Sequence, residues 1–345
     1  MKILYLSCHS ILEFDEVKLL HELGHQVFSP GAYVEPANPG DASLRPGIPE
    51  LVYDPDVLAA FHALGQPGID NKELLTKEFV DRFDLIIIMH MPKWIIKNWE
   101  VMKHKPVIWR TIGQSITSVE TRLAEYRDSG MKIVRYSPME SNIPGYLGAD
   151  ALIRFYKDPE EYKDWSGNIR SIISFSQSMK KRNQACNFSY FEEITRGLPR
   201  ILYGPGNEDI FEMPTGGKLP FDQLQMQLRE NRVYFYTGTH PASYTLNFME
   251  AWMTGIPIVA IGQQKGNANY FPSHSLYEIP NLITNGINGF ISEDPKELRY
   301  ICEELLSNDF LARDIGNAGR KSAIDIFGKD IIKQQWKEFL DGMLK

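Results

Sequence analysis

Short apolar runs alternate with stretches of helical spacing along almost the whole chain. Lys2-Ile-Leu-Tyr-Leu-Ser opens it with the pattern of a buried strand. A helix is predicted over 16–23, with Leu19, Leu20 and Leu23 on one face and Gly24 closing it. A second strand follows over 26–28. Residues 30–56 are rich in Pro, Gly, Asp and Asn and read as an irregular excursion. Helical spacing over 57–64 and 71–83 leads into the clearest strand of this half, 84–90. Helix 93–103, strand 107–111, helix 117–128 and strand 132–136 continue the alternation. Strands alternating with helices imply a parallel, doubly wound sheet.

The stretch 156–170 is polar and turn-rich and reads as a linker. Alternation restarts beyond it with strand 171–175, helix 187–196, strand 200–203, helix 221–229 and strand 232–236. Asn285-Gly-Ile-Asn-Gly turns into another short strand, and helices follow over 295–306, 309–326 and 329–343. The last carries Ile331, Ile332, Trp336, Phe339 and Leu340 on one face. Two α/β domains in tandem are expected, 1–160 and 161–326, with a terminal helical segment over 327–345.

A chain of 345 residues suits two domains, and a hydrophobic content of 43% suffices to fill both cores. No apolar run approaches the roughly 18 residues of a membrane span, and the N-terminus lacks a signal-peptide pattern. Cys8, Cys186 and Cys302 are odd in number, far apart and without metal-ligand spacing. A reducing, cytoplasmic setting is therefore expected. The net charge is −7, with 17 Lys/Arg against 22 Asp/Glu in residues 1–160 and 20 against 22 beyond. Neither half is a basic module for nucleic acid or anionic lipid.

The richest chemistry lies in Thr237-Gly-Thr-His-Pro-Ala-Ser-Tyr-Thr-Leu-Asn-Phe-Met-Glu-Ala-Trp-Met-Thr-Gly-Ile-Pro. It reads as a strand end, a small polar turn, a helix with one acid, a Gly-Pro stop and then the buried strand 258–261. Ser243 or Thr245 can cap the helix, and Leu246, Met249, Trp252 and Met253 follow its spacing. Gly255 and Pro257 end it. A helix start beyond a parallel strand offers free N–H groups to phosphate.

This segment resembles the nucleotide-sugar site of the group 1 (family 4) glycosyltransferases. Glu278-Ile-Pro-Asn-Leu-Ile-Thr-Asn-Gly-Ile-Asn-Gly, Asp294-Pro-Lys-Glu-Leu and the helices between Leu305 and Phe327 match the same family in order and spacing. The resemblance implies the α/β GT-B fold, two Rossmann-like doubly wound domains facing across a cleft, with the terminal helix packing back on the N-terminal domain. It also implies a nucleotide-binding role for the helix start (Ser243, Tyr244, Thr245, Leu246) and contact of Glu250 with the ribose hydroxyls. The family usually has a second glutamate eight residues earlier, towards the transferred sugar; here that position is Ala242. His240, two residues before it, is the candidate to reach the sugar instead.

The family's diphosphate-neutralising Arg and Lys fall where this chain has Phe175-Ser-Gln-Ser-Met-Lys-Lys-Arg, so Lys180, Lys181 or Arg182 is the candidate cation, Lys181 and then Arg182 first. The family's glycine pair after the first strand is replaced by Cys8-His9-Ser10, which puts His9 towards the acceptor. The strand 107–111 ends in Arg110 and Thr111 where relatives often place a His, so Arg110 is a candidate for a phosphate or an acidic acceptor. Asp150, Arg154, Lys157 and Asp158 read as an ion network near the linker. Asp54-Pro-Asp56 superficially resembles a metal-binding acid pair, but no strand supports it.

The resemblance implies a hexosyl- or pentosyltransferase using a nucleoside diphosphate sugar, retaining, with no metal or other cofactor. The acceptor is a glycan, a lipid-linked or small molecule or, against the charge balance, nucleic acid. The rival readings are a sugar-nucleotide epimerase on the same fold and a noncatalytic nucleotide-sugar-binding protein.

Overall fold

A computed structural model describes residues 1–31, 54–65, 75–267 and 275–343. The chain forms two compact units: residues 1–155 with 332–345, and residues 156–331. Most of the Pro-rich excursion and the first residues of the 71–83 pattern lie outside the described residues.

Unit 1 begins with β1 (Lys2–Ser7), α1 (Ser10–Glu22) and β2 (Gln26–Phe28). Next come α2 (Pro55–Ala63), α3 (Lys77–Val80), β3 (Leu85–Met89), α4 (Pro92–Met102) and β4 (Val107–Arg110). α5 (Thr117–Asp128), β5 (Lys132–Arg135) and β6 (Ala151–Leu152) complete its sheet, which is parallel throughout and ordered β2-β1-β3-β4-β5-β6. β3 is buried along its whole length, as a parallel strand covered on both faces must be. Phe28, Phe61, Phe79 and Phe83 pack ring against ring and seat α2 and α3 on the sheet. Asp54 caps α2, accepting from the Asp56 N–H at 3.0 Å, so the Asp54-Pro-Asp56 run is a helix start.

α1 begins six residues before its predicted start. Its buried face includes Glu13, Asp15 and Glu16, which hid the helical pattern. Two of these acids are held by polar partners: Ser29 Oγ donates to Glu13 at 2.8 Å, and Tyr5 Oη donates to Glu16. Arg110 closes the arrangement. Its Nε donates to Glu16 at 2.8 Å, its NH1 to the Ile153 carbonyl at 2.7 Å and its NH2 to the Arg154 carbonyl at 3.3 Å. The guanidinium also stacks on Phe155 at 4.4 Å and lies 5.6 Å from the ring of Trp336.

Unit 2 holds β7 (Ile169–Phe175), α6 (Asn183–Cys186), α7 (Phe188–Thr195), β8 (Arg200–Tyr203) and β9 (Thr215–Gly217). It continues with α8 (Phe221–Glu230), β10 (Asn231–Tyr236), α9 (Leu246–Thr254), β11 (Ile258–Ile261), α10 (Gln263–Asn267), α11 (Ile279–Leu282) and β12 (Phe290–Ser292). α12 (Pro295–Ser307) and α13 (Asp309–Phe327) follow, and α14 (Lys329–Met343) runs from unit 2 into unit 1. The second sheet is also parallel, ordered β9-β8-β7-β10-β11-β12. In order of appearance this is 3-2-1-4-5-6, the Rossmann order. From Ile332 onward α14 belongs to unit 1 and buries Ile332, Trp336 and Leu340. Among the described residues no helix is long and apolar enough to cross a membrane.

Two outcomes follow. Arg110→Met should destabilise the protein by about 3–5 kcal/mol, because Glu16 is left buried without its cation, and Glu16→Gln in the same chain should recover part of the loss. Denaturant midpoints check both. His90, directly after β3, is lowered from 6.5 to about 4 by burial. A depressed folded-state value gives stability that is present above about pH 6.5 and lost as the pH falls towards 4. Stability measured across that window should decline on acidification, and His90→Gln should flatten the decline.

Candidate functional site

Where strand order reverses in an open parallel sheet, the loops leaving the two strands diverge and open a crevice at their carboxyl ends. In unit 2 the reversal lies between β7 and β10. The loops leaving these strands, 176–182 and 237–245, contain most of the sequence's candidate residues.

The first loop is held against the turn after β8. Ser176 N–H donates to the Tyr203 carbonyl and Ser178 N–H to the Pro205 carbonyl, each at 2.9 Å. A Cβ on Gly204 (φ +121°) would stand 2.3 Å from the Ser176 carbonyl oxygen, so only glycine fits there. Buried Asn207 braces both sides, donating to Ser176 O at 2.7 Å and accepting from Met179 N–H at 2.8 Å. The basic run emerges from this frame. Lys180 pairs with Glu212 at 2.5 Å, Lys181 with Asp209 at 3.4 Å, and Arg182 donates to the Gln177 carbonyl at 3.3 Å. These are solvent-exposed, weakly held contacts, so a polyanion can compete for the lysines.

The second loop is pinned to the junction of α6 and α7. Thr237 Oγ1 donates to the Cys186 carbonyl at 2.7 Å, Asn187 Nδ2 to the Thr237 carbonyl at 3.0 Å, and His240 N–H to the Ala185 carbonyl at 2.8 Å. Glu278 N–H donates to the Ser243 carbonyl at 3.0 Å. Burial lowers His240 from 6.5 to about 4, so its imidazole is neutral at pH 7. The side chains of Ser243 and Tyr244 are buried, the Tyr244 ring lying 5.1 Å from that of Phe327. Any contact of these two residues with a ligand would therefore run through their main chain.

Thr245 is the N-cap of α9 and makes no side-chain cap bond, which leaves the first-turn N–H groups with hydrogen-bonding capacity for an anion. Gly255 (φ 91°) closes α9 in the left-handed conformation, and its N–H reaches the Ala251 and Trp252 carbonyls.

Glu250 lies one turn into α9 and is 5% exposed. Lys157 Nζ, from a side chain with no exposure, stands 2.8 Å from its Oε1. Tyr162 Oη donates to the same oxygen at 3.2 Å. No donor among the described residues reaches Oε2. The carboxylate is thus fixed by one oxygen and uncommitted at the other, a geometry suited to accepting hydroxyl donors.

In unit 1 the reversal lies between β1 and β3. His9 and His90 stand at the two strand ends. His9 caps α1, its Nδ1 accepting from Leu12 N–H at 3.4 Å. His90 has φ 49°, an uncommon backbone state for a non-glycine residue, and its ring lies 5.6 Å from that of Trp109. Its Nδ1 is buried without a hydrogen-bond partner among the described residues. Strain and an unmet polar atom together make His90 a candidate functional position, and neither is visible in sequence.

Arg110 is corrected. Its guanidinium is fully buried and committed to Glu16 and two carbonyls, which takes it out of the ligand-contacting set. The ion network expected near the linker is dispersed as well. Asp150 pairs with Arg127 and Lys132, Asp158 with Lys329, and Lys157 with Glu250. Lys157 and Tyr162 are not legible in the sequence as partners of Glu250, because their segment is polar and turn-rich and its pairing with α9 spans some 90 residues of sequence.

No protein-family model matches the sequence, and no curated protein matches it either. Solved structures do match. HepE of Anabaena, crystallised with UDP and glucose, is 16% identical and superposes with a TM-score of 0.64 over 99% of this chain and 100% of its own. Sucrose-phosphate synthase of Thermosynechococcus elongatus is 13% identical, with a TM-score of 0.66 over 100% and 99%. A glycosyltransferase of Rickettsia africae is 14% identical, with a TM-score of 0.67 over 100% and 98%. The chain therefore has the two-domain α/β GT-B fold shared by these glycosyltransferases.

Proposed function

We propose that this chain is a glycosyltransferase that moves a sugar from a nucleoside diphosphate sugar to an acceptor hydroxyl, with retention at the anomeric carbon and without a metal. The observation that carries the reading is Glu250, anchored at Oε1 with Oε2 uncommitted, one turn beyond a helix start without a side-chain cap bond. A ribose presents two neighbouring hydroxyls to such a carboxylate, and the diphosphate falls to the N–H groups of α9. Lys181 and Arg182 add positive charge from the facing loop.

Transfer forms a bond from the acceptor oxygen to the anomeric carbon as the bond from that carbon to the β-phosphate oxygen breaks. The acceptor proton passes to the departing phosphate on the same face. Charge on the diphosphate is met by the helix start and the basic run. With Ala242 in place of an acid, the neutral imidazole of His240 supplies the hydrogen bond towards the sugar. At the unit 1 crevice, His9 and His90 offer polar contacts to the acceptor. The UDP and UDP-glucose bound in the HepE structures make UDP-sugars the first donors to test.

Glu250→Gln keeps the side chain's shape and should weaken nucleoside diphosphate binding by about 10- to 100-fold, measured by calorimetry. Unchanged affinity would remove Glu250 from the site. His240→Ala should lower turnover by about 10- to 100-fold while nucleotide affinity stays within a factor of about 2. Incubation with a UDP-sugar alone, followed by analysis of the sugar, gives the competing outcome: epimerised sugar without acceptor would overturn the transferase reading.

A further inference from the structure

Burying a carboxylate costs several kcal/mol unless a partner is supplied, and the partner's position then decides which oxygen is left for other work. Around Glu250 both partners converge on Oε1. They come from one short segment, and that segment is unusually well held. Lys157 N–H donates to the Phe327 carbonyl at 2.9 Å, and Lys157 forms a parallel bridge with Gly328. Arg320 on α13 donates to the Pro159 carbonyl at 2.9 Å and also to the Tyr162 and Met253 carbonyls. One guanidinium thus clamps the 157–162 segment to the end of the helix that carries Glu250. The Tyr162 ring packs edge-on against Phe221, centroids 6.3 Å apart.

Resting on the reading of Glu250 as the ribose acid, we propose that Lys157 and Tyr162 are positioning residues for nucleotide recognition: by fixing Oε1 they turn Oε2 to the ribose hydroxyls and set the protein's discrimination between ribose and deoxyribose nucleotides. A mobile carboxylate loses rotamer entropy when it captures a diol, whereas one already held by a buried ammonium and a phenol does not.

The probes are ADP, CDP, GDP and UDP, and the 2′,3′-dideoxy form of whichever binds best. Wild type should prefer the ribonucleotide by at least about tenfold. Lys157→Met should bring that ratio close to one while binding of the dideoxy form changes by less than about threefold, because diphosphate contacts are untouched. Lys157→Arg should retain most of the preference. If Lys157→Met does not fold, Tyr162→Phe carries the test, since it removes only the hydroxyl and keeps the ring. It should lower the ratio by about threefold or more. Failure of all four nucleotides to bind, or equal affinity of wild type for the two forms, overturns the reading of Glu250 on which the inference rests. A wild-type preference that survives intact in Lys157→Met, or in Tyr162→Phe where that variant carries the test, overturns the inference alone.

Discussion

A carboxylate removed from water must be given a cation or donors, and this requirement organises both units of the chain. Glu16 in α1 is met by Arg110 at the end of β4, and Glu120 in α5 by Arg135 at the end of β5, at 2.6 Å with both side chains 1% exposed. Glu250 in α9 is met by Lys157. Each pair ties a helix to a strand end or to a distant segment, and breaking any of them strands a buried charge. The third pair differs because no donor among the described residues reaches the second carboxylate oxygen. Glu16 and Glu120 have both oxygens hydrogen-bonded and serve the scaffold, whereas in unit 2 the Lys157 and Tyr162 contacts both fall on Glu250 Oε1.

The two sheets provide that crevice through topology alone. Each reverses strand order once, and each carries histidine at or near the reversal: His9 and His90 in unit 1, His240 in unit 2. Burial holds His90 and His240 neutral at pH 7, which suits hydrogen bonding to hydroxyl groups and not charge pairing with phosphate. On the proposed reading, phosphate falls to the N–H groups at the start of α9 and to the exposed lysines, whose present partners are weakly held.

Most strands and helices were legible because a parallel sheet leaves long apolar runs, and α9 was legible down to its Gly255 stop. α1 was half lost, since three buried acids broke its apolar face, and β6 and β9 were too short to carry a period. Glu250 stood out by its place in a matched motif. Its partners did not, because nothing in 156–170 distinguishes Lys157 from the other charges of a solvated linker. Arg110 was misread for a related reason. An arginine at a strand's carboxyl end looks the same in sequence whether it faces a ligand or a buried glutamate, and only the placement of Glu16 decides between them.

On the proposed reading, unit 2 receives a nucleoside diphosphate at the start of α9 with its ribose on Glu250. A crystal structure of the chain with UDP, or with the nucleoside diphosphate it binds best, tests this most directly. Ribose hydroxyls are expected within about 3 Å of Glu250 Oε2, with the Lys157 contact to Oε1 intact and phosphate oxygens at the N–H groups of Leu246 and Asn247. A nucleotide seated elsewhere, or a ribose that leaves Glu250 untouched, would contradict it.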